Sequence, residues 1–378
     1  MINCNHRVTQ KHRVIQSYKF SRTQDLSFFK ALNERVNNYF TDNKISKKGG
    51  WKIWLKLIAM MALLFVPFIL LISGVADESF WQYTALWILM GFGTAGLGVN
   101  IMHDANHGTF SENRAINNIA SLVMNMLGGD AAIWRLQHNV LHHTFTNIHE
   151  ADEDIIGPPM LRFSPHDNHK GAHRFQFIYA WFLYSLMTLI KLAYTDYTRA
   201  IRYHEMGLIK TRQELRARLL KIATGKVVYF SIILVLPLIL APHAWWVLVG
   251  FLIMHLILGF ILTVIFQTAH VMPSSDYPLP DLDGKMSNNW AVHQMSTTTN
   301  YSPKSKIFSW FIGGLNYQVE HHLFSNISHI HYRKISKIVS DTAREYGIPY
   351  HCQSSFAEAV KQHGQMLYQL GRVPAISS

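Results

Sequence analysis

Cysteine is almost missing: the 378 residues hold two, Cys4 and Cys352, near opposite ends. That excludes a disulfide framework and any thiolate zinc or iron–sulfur site, so nitrogen and oxygen must hold any bound metal. No His-Glu-x-x-His pair occurs, although His149-Glu150 and His204-Glu205 begin like one, and no Gly-x-Ser-x-Gly elbow is present. Hydrolysis by zinc or by serine is therefore poorly served. Walker and dinucleotide motifs are missing as well. The first fifty residues are polar and basic, with no apolar stretch ending at a small-residue cleavage site. No signal peptide is read there, and the first span is expected to stay as an anchor.

Long apolar runs are what the chain does have. Leu57 to Val75 is interrupted only by Pro67 and Ser73 and carries no charge; about 20 such residues cross the hydrocarbon core as a helix. A second run covers Trp81 to Met102, and a third is centred on Val227 to Ala241 and borrows residues from Ile222 onward. The fourth goes from Ala244 to Ala269, with His255 and Gln267 as its strongly polar interruptions. Four spans are expected, at about 55–75, 81–102, 222–241 and 244–269. His255 reads as a packed, hydrogen-bonded histidine.

The formal charge of +12 is distributed in a way that argues against nucleic acid. Lys44, Lys47, Lys48, Lys52 and Lys56 precede the first span, and the loop after it has Asp77 and Glu78. Arg199, Arg202, Lys210, Arg212, Arg216, Arg218, Lys221 and Lys226 crowd the next long segment, and the connector at Pro242-His243 has neither Lys nor Arg. The positive-inside rule then places both termini and residues 103–226 in the cytoplasm. For a bacterial source the membrane is the plasma membrane.

Residues 1–50 form a cytoplasmic lead-in with one surface-packing helix, on which Phe29, Leu32, Val36 and Phe40 recur. Residues 51–378 are read as one domain, since no repeat or long linker divides them. Gly91, Gly93, Gly96 and Gly98 signal close helix packing in the bilayer. Residues 175–194 are apolar enough for a fifth span. Parity opposes it, because an even number of crossings must separate the second and third histidine clusters, so an interfacial helix is expected. Two C-terminal helices follow, one through Ile335, Ile338 and Val339 to Gly347, the other from Ser354 or Ser355 through Phe356, Val360, Leu367 and Leu370 to Gly371.

Three histidine clusters surround these spans: His103-Asp-Ala-Asn-His107, His138-Asn-Val-Leu-His142-His143 and Gln318-Val-Glu-His321-His322. A lone histidine is usually a structural residue, but three clusters at ligand spacing point to transition metal. Four residues apart on a helix, His103 and His107 share a face, as do His138 and His142; His143 lies about 100° further round. His270 ends the fourth span at the level of the clusters and brings the count to eight, whereas His293 is a weaker candidate. Imidazole suits zinc, copper, iron and nickel alike. Glu150, Asp152, Glu153 and Asp154 are close enough to the second cluster to fix ring tautomers, or form an ordinary solvated acidic loop. A transporter would place ionisable groups near the midplane. Here the ligands gather at one membrane face, which suits reaction on a lipid.

The pattern HxxxH, HxxxHH and QxxHH around four spans resembles the membrane fatty acid desaturase superfamily over nearly the whole chain. Gln318 opening the third cluster, within Asn316-Tyr-Gln-Val-Glu-His-His-Leu-Phe324, is similar to the front-end subgroup of Δ6 and Δ5 acyl desaturases, and Gln267-Thr-Ala-His270 falls where a further family ligand is found. The resemblance implies an all-α integral membrane protein with four transmembrane helices and a cytoplasmic helical cap. That cap would hold two non-haem iron ions on His103, His107, His138, His142, His143, His270, His321 and His322, with Gln318 orienting a water or binding weakly. It implies reduction of O2 to water while two hydrogens leave a fatty acyl chain, carried on CoA or lipid. Ser325 stands where the family often has proline. The His-Pro-Gly-Gly motif of a fused cytochrome b5 domain does not occur, so electrons are expected from a separate ferredoxin, cytochrome b5 or reductase. A di-iron hydroxylase or ketolase is the near alternative, and a histidine-rich membrane metal transporter without redox activity the distant one.

Overall fold

The computed structural model describes residues 18–21 and 26–374; Cys4 lies outside them. Helix α1, Ser27–Asp42, buries Phe28, Leu32, Val36 and Phe40, a four-residue repeat along one face. The expected face began at Phe29, but one residue turns a helix by about 100°. Phe29 therefore flanks that face, edge-on to the Trp290 ring at 5.6 Å. The buried face packs on Val319, Leu323, Ile335 and Val339, so α1 belongs to the same body as the third histidine cluster.

Among the described residues, five helices are long and apolar enough to cross a membrane, where the sequence pattern suggests four: α2 (Gly50–Ile72), α3 (Phe80–Asn106), α4 (Gly171–Glu205), α5 (Arg212–Leu240) and α6 (Ala244–His270). They make this a membrane protein. Local chemistry sets their starts. Ser79 Oγ accepts from Gln82 N at the head of α3. At α5, Thr211 Oγ1 accepts from Glu214 N at 3.1 Å while the Glu214 carboxylate accepts from Thr211 N at 3.3 Å, a reciprocal capping box.

Small residues let the helices touch at backbone level, as expected of the glycine-rich end of α3. A Cβ on Gly93 would stand 2.7 Å from the Leu63 and Leu64 backbone of α2, and one on Gly250 would stand 2.1 Å from the Trp87 ring. Helix α4 is the addition to the expected four. It lies on α6, where a Cβ on Gly259 would meet the Ser185 carbonyl at 2.3 Å. There Thr188 and Tyr229 bond the two ring nitrogens of His255, at 3.1 and 2.7 Å. Both ends of α4 reach residues of the cap. Gln176 accepts from Arg162 N at 2.8 Å and donates to the Leu367 carbonyl at 2.9 Å, and Arg202 pairs with Glu153 at 3.1 Å.

The cap is completed by α7 (Trp290–Thr297), α8 (Gln318–Leu323), α9 (Tyr332–Glu345) and α10 (Phe356–Leu370). Ser355 caps α10, and α9 stops before Gly347, close to the expected limits. A two-residue parallel pair, Asn300–Tyr301 with Cys352–Gln353, ties the C-terminal part to the segment before α8. His363 of α10 bonds the Tyr184 hydroxyl and the Val271 carbonyl, each at 2.8 Å, which docks α10 on α4 and α6.

Gly313 locks the cap onto the bundle. Its φ is +66°, and a Cβ there would stand 2.1 Å from the Val99 carbonyl of α3. Gly347 has the same φ with no atom within 4 Å of such a Cβ. Gly347→Ala should therefore lose only the left-handed strain, about 1–2 kcal/mol, whereas Gly313→Ala should add a backbone clash of about 1–3 kcal/mol. Thermal unfolding of the two variants in detergent checks the order; equal losses would mean that the Val99 contact does not constrain the fold.

Candidate metal centre

Helix α3 loosens into π-helical geometry over Gly98–Met102 before a last α turn, His103–Asn106, presents the first cluster. The His103 and His107 rings meet at 4.7 Å between centroids, as a four-residue spacing requires. The second cluster starts from Asp130, whose Oδ1 accepts from Ala132 N and Ile133 N, and runs through π-helical Leu136–His142. That geometry adds to the expected pairing, because a π turn closes from residue i to i+5. His138 and His143 become neighbours, with Nε2 atoms 3.2 Å apart. His142 stays stacked on His138 at 5.2 Å and also faces His270 and His322, at centroid distances of 4.7 and 4.8 Å.

All eight predicted histidines come together in two groups that His143 links. His103, His107, His138 and His321 place a ring nitrogen each within 4.8 Å of one another, as do His142, His270 and His322, and His143 reaches both His321 and His322. The Nε2 atoms of His103 and His321 are 3.2 Å apart, and those of His143 and His321 are 2.9 Å apart. Two nitrogens each about 2.1 Å from one ion stand about 3 Å from each other. Among the described residues, the buried Nε2 atoms of His107, His142, His270 and His322 have no hydrogen-bond partner. Bare nitrogens turned toward a common centre fit a pair of metal ions.

The opposite ring nitrogens explain which lone pairs face inward. His142 Nδ1 lies 2.9 Å from Asp152 Oδ1, and His138 Nδ1 lies 3.2 Å from Asp154 Oδ2. An ionised carboxylate only accepts, so Nδ1 carries the proton and Nε2 is free to ligate. His322 Nδ1 donates to Gln294 Oε1 at 2.8 Å, His270 Nδ1 faces the Thr297 carbonyl at 3.3 Å, and His321 Nδ1 meets the Tyr332 hydroxyl at 3.1 Å. Asn147, left-handed at φ 58°, aims its N–H at Asp152 Oδ2 and its amide at the His270 carbonyl.

Of the four acids near the second cluster, Asp152 and Asp154 serve its rings. Glu153 pairs with Arg202 and Arg199 instead, and Glu150 faces outward beside His149. His293 is not in the cluster: its Nε2–H donates to the Thr146 carbonyl at 2.8 Å, and its neighbour Gln294 is the one that reaches a cluster histidine. Sequence spacing carries no signal for Gln294 or Tyr332, because each acts across a tertiary contact.

The chain matches the family model "Fatty acid desaturase" over residues 78–354. The chain belongs to that family. The desaturase is 32% identical over 353 residues to an sn-1 linoleoyl-lipid 6-desaturase of Synechocystis sp., covering 93% of this chain and 97% of that protein. It is 30% identical to a protein of the same name from Arthrospira platensis, over 93% and 94% of the two chains. An acyl-lipid (8-3)-desaturase of Physcomitrium patens is 31% identical over 93% of this chain and 73% of its own length. The relatives are front-end desaturases, and the family reaction is O2-dependent desaturation of a fatty acyl chain.

Beside the histidines the desaturase has a cavity of about 540 Å³. His103, His138, His321 and Gln318 line one part, and Leu258, Leu262, Met187 and Met102 give apolar walls from α3, α4 and α6. Among the described residues the buried Gln318 Oε1 has no hydrogen-bond partner, so the amide is available to a small polar occupant.

Burial, and then repulsion from neighbouring imidazolium, push His143, His321 and His322 well below 6.5, and burial takes His138 down to about 3. These rings stay neutral at neutral pH, the state that binds metal. Burial also acts against the His142 cation, but the Asp152 carboxylate outweighs it and raises that group.

Two predictions follow from this electrostatic layout. Asp152→Asn should weaken metal binding by about 10–100-fold, because the amide no longer forces the proton onto Nδ1; metal titration of stripped protein reads the change, and unchanged affinity would remove Asp152 from the site. Burial lowers His293 and His363 from 6.5 to about 4, against hydrogen bonds to Thr146 and Val271. Below pH 6.5 the unfolded chain binds protons that these rings refuse, so their contribution is full above 6.5 and lost as pH falls toward 4. Melting temperature should drop across that window, and a smaller drop in His293→Gln would assign part of it.

Proposed function

We propose that this chain is a front-end acyl-lipid desaturase whose eight clustered histidines hold two iron ions. The observation that carries the reading is the convergence of unpartnered Nε2 atoms beside an apolar cavity within a membrane protein. His103, His107, His138 and His321 would hold one ion, and His142, His270 and His322 the other, with His143 between them. Bound iron supplies the activation of O2 needed to remove two hydrogens from an unactivated acyl chain. The overall balance is one O2, one CH2–CH2 unit, two electrons and two protons giving one CH=CH unit and two waters.

The protein residues do the positioning. Leu258, Leu262, Met187 and Met102 take the acyl chain out of the bilayer and keep water from it, and Gln318 offers its amide beside His321. Asp152, Asp154, Gln294 and Tyr332 keep four rings turned with Nε2 inward. A lipid carrier is favoured over CoA by the names of the cyanobacterial and moss relatives. The same names favour desaturation over hydroxylation or ketolation, and over metal transport. A separate ferredoxin, cytochrome b5 or reductase would supply the electrons.

For the topology we infer four crossings, α2, α3, α5 and α6, with α4 lying along the site end of the bundle. Support comes from the two ends of α4, which both bond to the cap, through Gln176 and through Arg202. A helix that crossed once would leave one end on the far side. The lysines before α2 and the basic segment around α5 favour the cytoplasm for the cap.

Expression in a host of known fatty acid composition should yield a new double bond, located by mass spectrometry of intact lipids. His321→Ala should abolish the product and remove bound iron while the protein still inserts in the membrane. Hydroxylated product alone would sink the desaturase reading, and full activity in His321→Ala would take the third cluster out of the centre.

A further inference from the structure

Lys56 does not behave like the other lysines that precede the first span. Lys52, one turn earlier, is exposed, whereas Lys56 is 4% exposed on the inner face of α2. A cation in an otherwise apolar span is unfavourable and normally extends to water. This one is turned into the protein. Its ammonium donates to Asn100 Oδ1 and stands against His329 Nε2, both at 2.7 Å. Asn100 is held in turn, since its amide donates to the Gly96 and Phe311 carbonyls at 2.8 and 2.7 Å.

The chain of contacts continues to a metal-site histidine. An ammonium only donates, so the His329 nitrogen facing it is the bare one and the proton sits on Nδ1. That atom is 3.0 Å from Asp104 Oδ1. The other Asp104 oxygen accepts from the Ser328 hydroxyl at 2.6 Å and from His329 N at 3.3 Å. Asp104 is 1% exposed, and its Oδ1 lies 3.7 Å from His103 Nδ1. The carboxylate thus stands between His329 and His103, within ion-pair distance of the His103 ring but without the hydrogen bond by which Asp152 and Asp154 hold His142 and His138.

A buried carboxylate stays ionised only where donors and positive charge face it. Asp152 is supported by backbone N–H groups of its own loop, from Asn147 and Asp154. Asp104 instead depends on a distant segment, Ser328 and His329 after the third cluster, with Lys56 of the first span behind His329. We propose that Lys56 and His329 are positioning residues of the metal centre, holding the Asp104 carboxylate behind His103 so that His103 Nε2 is presented to the ion shared with His107, His138 and His321. The role rests on the two-ion reading of the site. It gives α2, which contributes no ligand, a direct part in building that site.

The test uses full-length protein in detergent, stripped with chelator and titrated with cobalt(II), whose visible absorption follows each site. Wild type should take up two ions. Lys56→Met and His329→Phe keep the side-chain bulk and should each weaken one of the two sites by about 10–100-fold, the usual effect of losing a ligand's supporting carboxylate, while the other site is unchanged. Lys56→Arg, which restores a buried cation, should recover much of the loss. Because Lys56→Met can also impair insertion, His329→Phe, outside the spans, carries the same expectation on its own. Variant isotherms matching wild type would overturn the proposal. So would equal weakening of both sites, or a loss that Lys56→Arg does not relieve. If wild type takes up fewer than two ions, the two-ion reading falls and the proposal with it; if it takes up two and the variants match it, the proposal alone falls.

Discussion

Eight imidazoles buried against one another must all stay neutral and all offer a bare nitrogen to the same small volume. Each unpartnered buried acceptor costs about 1–3 kcal/mol, and four such Nε2 atoms face one another here. The surroundings answer this with acceptors placed behind four of the histidines, so that their protons are drawn outward. Asp152, Asp154, Gln294 and the Thr297 carbonyl come from different segments, yet each meets an Nδ1. The cap exists to bring those segments to one place, and the glycine-lined helices below give it a rigid floor.

Much of this was legible in the sequence because ligand chemistry leaves local marks. His103 and His107, four residues apart on the last α turn of α3, sit together as spacing requires, and the end of its span marks His270. The second cluster was legible in identity but only in part in arrangement. His142 stays stacked on His138 at 5.2 Å as the spacing suggests, but the π-helical stretch over Leu136–His142 also turns His143 onto His138. Nothing in the residue types announces a change of hydrogen-bond register, which is set by packing on neighbouring helices.

Tertiary partners were the least legible. Gln294 sits one residue from His293, and only the folded position of α7 tells which of the two meets His322. Lys56 read as one more basic residue setting topology, since a sequence cannot show that a lysine near a span end faces inward. Helix α4 satisfies the length and hydropathy of a span, and hydropathy alone does not reveal that Gln176 near one end meets Arg162 and Leu367 and Arg202 near the other meets Glu153.

The contact between Gly313 and Val99 has a consequence for biosynthesis. It fastens the segment just before the third cluster to the turn of α3 that leads into His103, across more than half of the chain. One candidate metal-binding group draws on His103 and His321 together, so it is incomplete until the C-terminal third has been made and has docked. The spans can insert one by one as they emerge, but the centre cannot be filled along the way. On the two-iron reading, metal loading would therefore come late, and a chain cut short before His321 and His322 would lack residues of both groups.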